Sequence, residues 1–407
     1  MSLRAFVALI LYLLLWIPLF PVIFVYSLFR SQDRAALTGR LGISHHKPCF
    51  PDKAVWLHAC SVGEVGCLTP LIEEFQRLGH AVIISTVTHT GFLLARDRWP
   101  GIHSFVLPFD PLIFFALAFK RPGLTRVYLL ETEIWPGMIA GCVMAGIPVT
   151  LVNARISDNS FSRYHWTRSL IGPFLDLLSH VFAQSEIDRK RIRLIGRTKP
   201  VDLMPNIKFW SLRKPQLPDR KLFPSDRPYL VAGSTHEGEE SVILDCFSAL
   251  KKEFPDLCLL LAPRHLHRVE RVFRLCIDHG LSPARRTQMS RSSEVIVLDT
   301  IGELAGFYLL PGCVFIGGSL IPHGGHNPLE AVAAGKTPVC GPHLFNFRDI
   351  VSRLIEHRML HIAENPVMLK DLFRSQLSSP HDSALIRDFL QDVEAGRRET
   401  LEKLIQL

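Results

Sequence analysis

Residues 54–85 read AVWLHACSVGEVGCLTPLIEEFQRLGHAVIIS, and this stretch decides the fold. Ala54–His58 and Ala81–Ser85 are apolar runs of strand length, and Pro70–Gly79 between them carries amphipathic helical spacing. Strands with no polar alternation are buried on both faces, as in a parallel sheet. The same rhythm continues at Ser104–Leu107, Arg126–Leu130, Pro148–Asn153 and His180–Ala183, with the helical stretch Trp135–Gly146 ending at a glycine suited to a C-cap. Residues 211–228 (SLRKPQLPDRKLFPSDRP) are rich in proline and charge, lack periodicity, and read as a linker. Strands then resume at Tyr229–Ala232, Leu257–Ala262, Val295–Asp299, Val314–Gly317 and Thr337–Cys340. The fold class expected is α/β, two Rossmann-like domains of residues 33–210 and 229–382, with one or two polar helices over 383–407. Ligands of such sheets bind at the carboxyl ends of the strands, and two similar halves are expected to leave a cleft.

The 407 residues suit two domains, and 48% hydrophobic with 21% charged residues excludes a disordered chain. Nine scattered cysteines without a C-x-x-C pair read as reduced thiols, neither a disulfide framework nor a zinc site. A net charge of +8 calls for an anionic partner, and charge alone does not choose between a membrane surface, a phosphorylated substrate and nucleic acid. From Phe6 to Phe29 no residue is charged, a length sufficient to cross a bilayer core of about 30 Å. Residues 1–32 therefore read as an N-terminal anchor, which Pro18 and Pro21 are placed to kink towards an interfacial lie. A cleaved signal peptide is the alternative, though no small-residue cleavage site follows. Arg30, Arg34, Arg40 and Lys47 follow the segment while Arg4 alone precedes it, which puts the rest of the chain in the cytoplasm.

Six strand ends carry the candidate chemistry. Ser61, Gly63 and Glu64 follow the first strand; Glu64 suits a general base in a cleft, or equally a first-turn charge complementing a helix dipole. Glu131 and Glu133, followed by Trp135-Pro136, suit a polar sugar or acceptor site, with capping or ion pairing open for one of the two. Arg155 and Ser157 end another strand, with Ser157 a candidate helix cap, and Arg163, Tyr164 and Arg168 add groups for a phosphorylated acceptor. The second half opens with Ser234, Thr235, His236, Glu237, Gly238, Glu239 and Glu240, a turn whose amides suit an anion or plain capping. Pro263 and Arg264 end the next strand, Arg264 as a phosphate or carboxylate contact or as an ordinary surface cation. Most telling is Gly317-Gly318-Ser319-Leu-Ile-Pro-His323-Gly324-Gly325-His326-Asn327-Pro328-Leu329-Glu330. Asn327 suits an N-cap, Pro328 the first helical position, and Glu330 the hydroxyls of a ribose. His323 and His326 have no third ligand at metal spacing and no Asp-x-Asp occurs, so they read as hydrogen-bonding groups and no metal is expected.

Taken in order, SVGEV (61–65), ETEIWP (131–136), NARIS (153–157), AQSEID (183–188), AGSTHEGEE (232–240), LAPRH (261–265), GELAGFY (302–308), GGSLIPHGGHNPLEA (317–331) and GPHLFNFRDI (341–350) resemble the bacterial Kdo (3-deoxy-D-manno-octulosonic acid) transferases. The resemblance implies a GT-B fold, with an N-terminal acceptor domain and a C-terminal nucleotide domain. It implies CMP-Kdo as donor and co-substrate, a lipid A precursor as acceptor, no cofactor, no nucleic-acid partner, and a place on the cytoplasmic face of the inner membrane. Carried over by motif, Glu64 is the base, and CMP contacts fall on Pro263, Arg264, Gly302, Glu303, Leu304, Asn327, Pro328, Leu329 and Glu330. Asn206 and Lys208 match a further motif that departs from the family at Pro205 and Trp210. Other GT-B enzymes using a uridine nucleotide, and a non-catalytic membrane-bound nucleotide-binding protein, are the rival readings. The number of Kdo units, the acyl pattern of the acceptor and the oligomeric state are open.

Overall fold

The computed structural model describes residues 1–29, 31–43, 51–119, 123–196, 200–210, 215–217, 223, 227–290, 292–379 and 383–406. Arg30, Lys47 and most of the 211–228 segment lie outside the described residues. The chain divides into two compact units, Met1–Ser211 with Val393–Leu407, and Leu212–Asp392.

The first unit holds a parallel sheet of β1 (Ala54–His58), β2 (Ala81–Thr86), β3 (His103–Val106), β4 (Leu124–Leu130), β5 (Val149–Ala154), β6 (His180–Ala183) and β7 (Val201–Leu203), in the order β3-β2-β1-β4-β5-β6-β7. The second has β8 (Tyr229–Thr235), β9 (Cys258–Pro263), β10 (Pro283–Arg285), β11 (Val295–Val297), β12 (Gly312–Ile316), β13 (Val339–Cys340) and β14 (His361–Ile362), in the order β10-β11-β9-β8-β12-β13-β14. Both orders reverse direction beside the unit's first strand, the doubly wound pattern of two Rossmann-like halves of GT-B type. Every residue of β1, β5 and β9 is buried, which is why their sequences are continuously apolar. Each unit has its own core: Trp56, Phe105, Val127 and Phe174 in the first, Leu230, Phe247, Leu259 and Phe315 in the second.

The edge strands β7, β10 and β14 escaped the sequence reading, being two or three residues long and too short for a hydrophobic period to register. The C-terminal segment is one helix, Ser383–Gln406, and its last turn is held in the first unit, where Tyr128 Oη donates to the Leu404 carbonyl at 2.8 Å.

The apolar N-terminal segment is a helix, Leu3–Phe29, that continues through Pro18 and Pro21. One side of it docks on the first unit. Ala5, Ala8 and Leu9 are buried, Tyr12 meets Phe174 edge-on, and Trp16 and Phe20 pack on Phe109. Tyr12 Oη donates to Asp110 Oδ2 at 2.7 Å. Arg40, read from sequence as a flanking charge, is used in the fold: Nη1 donates to the Leu107 carbonyl and the guanidinium lies 4.7 Å from the Phe109 ring centroid.

Candidate functional site

In the first unit the singled-out residues gather at the carboxyl ends of β1, β4 and β5. Glu64 lies in the four-residue helix Val62–Val65 after β1, 9% exposed. Its carboxylate turns back on its own loop, accepting from the Cys60 amide at 2.7 Å and from Ser61 Oγ at 3.1 Å. Ser61, where the helix starts, thus bonds Glu64 instead of capping the helix, and Gly63 sits in the same turn. Burial, then the charges of Glu131 and Glu133, pushes the Glu64 carboxyl up to about 8, and the two amide and hydroxyl donors only partly oppose this.

Glu131 takes a left-handed conformation, φ 56°, as does Asn153 at the end of β5, φ 60°. Non-glycine residues held there cost free energy and cluster at functional sites. Lys208 Nζ stands 3.2 Å from Glu131 Oε1. Lys208 is positioned by Asn206, whose Oδ1 accepts from the Lys208 amide at 3.0 Å and whose Nδ2 donates to Gln184 Oε1. Asn153 Oδ1 in turn accepts from the Ile207 amide at 3.0 Å. Glu131 and Lys208, 77 positions apart in the chain, are therefore joined through the ends of β4, β5 and β7, a link that no local motif could show. The departures from the family pattern flank this link without entering it: Pro205 abuts Gly396 of the C-terminal helix, and Trp210 is buried. Glu133 Oε2 accepts from Trp135 Nε1 at 2.8 Å, and burial raises its pKa. Its carboxylate, that of Glu64 and the Cys60 sulfur lie within 4.8 Å of one another. The Arg155 carbonyl accepts from Thr132 Oγ1, and Ser157 caps its helix by accepting from the Ser160 amide. Arg168, at the start of the helix Arg168–Leu175, bonds to His165 of the preceding helix, Asp158–Trp166, and Tyr164 packs against the core.

Asp110 stands behind this site and was not singled out in the sequence. It is fully buried, and its carboxylate accepts from the Gly137 and Met138 amides at the start of the helix Pro136–Met144, the helix that ETEIWP opens.

In the second unit the organising residue is one that the sequence reading took for a first-turn capping acid. Glu239, wholly buried, accepts four backbone amides: His236 at 2.9 Å and Gly318 at 2.7 Å on Oε2, Ser319 and Leu320 at 2.9 Å on Oε1. The anion that the glycine-rich turns were expected to attract is, for these amides, the protein's own carboxylate. It ties the turn after β8 to the loop after β12, 79 residues apart. Ser319 is structural, accepting from the Gly341 amide at 2.8 Å, and Asn346 donates from its amide to the Gly324 carbonyl, so GPHLFNFRDI braces the loop. Gly324 has φ 99° and a Cβ there would collide with Asn346, while Gly318 and Gly325 also have positive φ.

Ser234, φ 56°, and Thr235 end β8, and the Thr235 carbonyl accepts from the Arg264 amide at 3.0 Å. Pro263 is buried at the end of β9 and Arg264 is exposed. Arg268 forms a two-pronged pair with buried Glu240, at 2.7 and 3.2 Å, whereas Glu237 is exposed and pairs with Arg271. Gly302 has φ 87°, Glu303 Oε1 accepts from Arg286 at 3.1 Å, and Leu304 starts a four-residue helix. Asn327 Oδ1 accepts from the Leu329 amide at 3.1 Å, ahead of the helix Leu329–Ala333, and Pro328 is buried beside it. Glu330 in that helix lies within electrostatic reach of Arg264.

His236 closes a cluster that sequence spacing concealed. The sequence reading found no third partner for His323 and His326; the structure brings His236 to them from the end of β8. His236 Nε2 and His326 Nε2 are 2.8 Å apart, the His236 and His323 ring centroids 4.0 Å apart, and one ligand atom from each ring falls within 4.8 Å of the others. Burial, then the neighbouring histidines and arginines, pushes His236 and His326 down to about 4.

Known proteins match this chain in sequence and in fold. Residues 35–211 match the family model described as 3-deoxy-D-manno-octulosonic-acid transferase (kdotransferase). A 3-deoxy-D-manno-octulosonic acid transferase of Haemophilus influenzae is 32% identical over 92% of this chain and 91% of its own. Among solved structures, a glycosyltransferase from Rickettsia africae (TM-score 0.57, 14% identity, 87% of this chain and 98% of that one) and a UDP-GlcNAc 2-epimerase from Neisseria meningitidis (0.56, 13%, 87% and 100%) share the fold.

Proposed function

The chain belongs to the 3-deoxy-D-manno-octulosonic acid transferase family and is a glycosyltransferase, and from that premise we propose that it moves Kdo from CMP-Kdo to a lipid A precursor, with inversion and with Glu64 as general base. The acceptor hydroxyl gives its proton to the Glu64 carboxylate, its oxygen bonds to the anomeric carbon, and the bond from that carbon to the phosphate oxygen breaks on the opposite face. CMP leaves with the electron pair. A monophosphate leaving group does not demand a divalent ion, and the Arg264 guanidinium serves to offset its charge. Glu330 is placed to accept from the ribose hydroxyls, beside Arg264.

The observation that carries this reading is the state of Glu64. A carboxyl pushed up to about 8 by burial and by two neighbouring glutamates exchanges its proton near neutral pH, where general-base catalysis is most effective. The helix Leu3–Phe29, about 40 Å long and with a mean hydropathy of 2.6 over an 18-residue stretch, supports anchoring at the cytoplasmic face of the inner membrane, where a lipid acceptor is met.

The test is mass spectrometry of lipid products from the purified full-length protein supplied with CMP-Kdo and a lipid A precursor; a product heavier by Kdo is expected, and its absence overturns the assignment. Glu64→Gln should keep thermal protection by CMP while turnover falls about a hundred- to ten-thousandfold. Near-normal turnover would remove Glu64 from the role. Protection by UDP in place of CMP would turn the reading towards a uridine-nucleotide enzyme.

A further inference from the structure

His236, His323 and His326 converge from the end of β8 and from the loop after β12, with His236 Nε2 and His326 Nε2 2.8 Å apart. Three imidazoles at this spacing suit one of two guests. One is a soft divalent cation, for which three histidines are a familiar ligand set. The other is an anion that accepts hydrogen bonds from ring N–H groups.

The charges around the cluster decide between them. Arg264 follows β9, the strand beside β8, and its charge bears on both His236 and His326; that of Arg268 bears on His236. Of the nearby acids, Glu239 accepts four backbone amides, Glu240 pairs with Arg268 and Glu237 with Arg271, while Glu330 lies within electrostatic reach of Arg264. Among the described residues Arg264 makes no ion pair. The charges that bear most on His236 and His326 are cationic, which disfavours a divalent cation and favours an anion.

The second anion of the donor supplies one. Kdo differs from a neutral sugar by a carboxylate on the anomeric carbon itself, the carbon that also bears the phosphate oxygen. A site that holds the phosphate beside Arg264 brings that carboxylate within a few bond lengths of it. We propose that His236, His323 and His326 form the subsite for the carboxylate of the donor sugar, and that this subsite selects an ulosonic acid over a neutral sugar. The assignment rests on CMP-Kdo being the donor. Ring N–H groups of His323 and His326 donate to the carboxylate oxygens, and the His236–His326 hydrogen bond fixes which tautomers present them.

The experiment compares CMP with CMP-Kdo on the full-length protein without acceptor, by calorimetric titration of the wild type, of His323→Ala and of His323→Ala/His326→Ala. His323 is exposed, so its truncation leaves the core intact. The expected result is an unchanged Kd for CMP and a Kd for CMP-Kdo weakened about tenfold or more, as for loss of a hydrogen bond to a charged group. Parallel weakening of both ligands, or of neither, overturns the subsite. Zinc binding to the wild type that is lost in His323→Ala while CMP-Kdo binding persists would assign the cluster to a cation instead. If the wild type binds neither ligand, the donor assignment falls, and the subsite with it.

Discussion

The two units share a sheet of seven parallel strands and differ in the sign of what stands at the strand ends. The first presents carboxylates, Glu64, Glu131 and Glu133, and burial together with the neighbouring glutamate charges pushes Glu64 and Glu133 towards the protonated form. The second presents imidazoles and arginines, with His236 and His326 pushed towards the neutral form. Each unit also buries a carboxylate on backbone amides: Asp110 on those of Gly137 and Met138, Glu239 on those of His236 and of 318–320. The comparison teaches that the sheet sets only where the loops emerge. The opposite chemistries, one suited to taking a proton and one to holding an anion, come from loop side chains, and an internal carboxylate holds those loops in place.

The largest effect expected on this comparison comes from Glu239. Glu239→Gln replaces one accepting oxygen by a donor that faces two backbone amides, and should destabilise the protein by about 3 kcal/mol or more, read from the denaturant midpoint. A variant as stable as wild type would mean that Glu239 does not organise the loop.

A smaller effect separates the acidic site from the basic one by pH. With its pKa raised to about 8, Glu64 is in its base form above that value, so kcat/KM should rise about tenfold per pH unit well below 8 and level off above it. Lys208→Met leaves the Glu131 charge uncompensated, which should move the inflection to higher pH; a pH–rate profile that ignores the substitution would disconnect Lys208 from the site. The smallest effect concerns the hold of the N-terminal helix on Asp110. Tyr12→Phe removes one of its donors and should cost about 1 kcal/mol in a detergent-solubilised unfolding experiment. No measurable change would show that apolar packing alone docks the helix.

The α/β rhythm was legible because strands buried on both faces must be continuously apolar, as in β1 and β9, and pocket groups such as Glu131, Arg155, Ser234 and His236 sit at strand ends for the same reason of topology. The short strands β7, β10 and β14 carried no such signal. Asp110 and Glu239 looked like ordinary first-turn acids, since nothing local distinguishes a carboxylate facing water from one accepting distant amides.

By itself, then, the chain order of apolar runs, glycines and polar strand ends determined two doubly wound units and the positions from which chemistry is presented, because these depend on residues close in sequence. Only the tertiary structure decided which of those groups meet. Lys208 reaching Glu131, Glu239 gathering the 318–320 amides, and His236 joining His323 and His326 all depend on neighbouring parallel strands whose ends come together through long crossovers, and no spacing along the chain encodes that encounter.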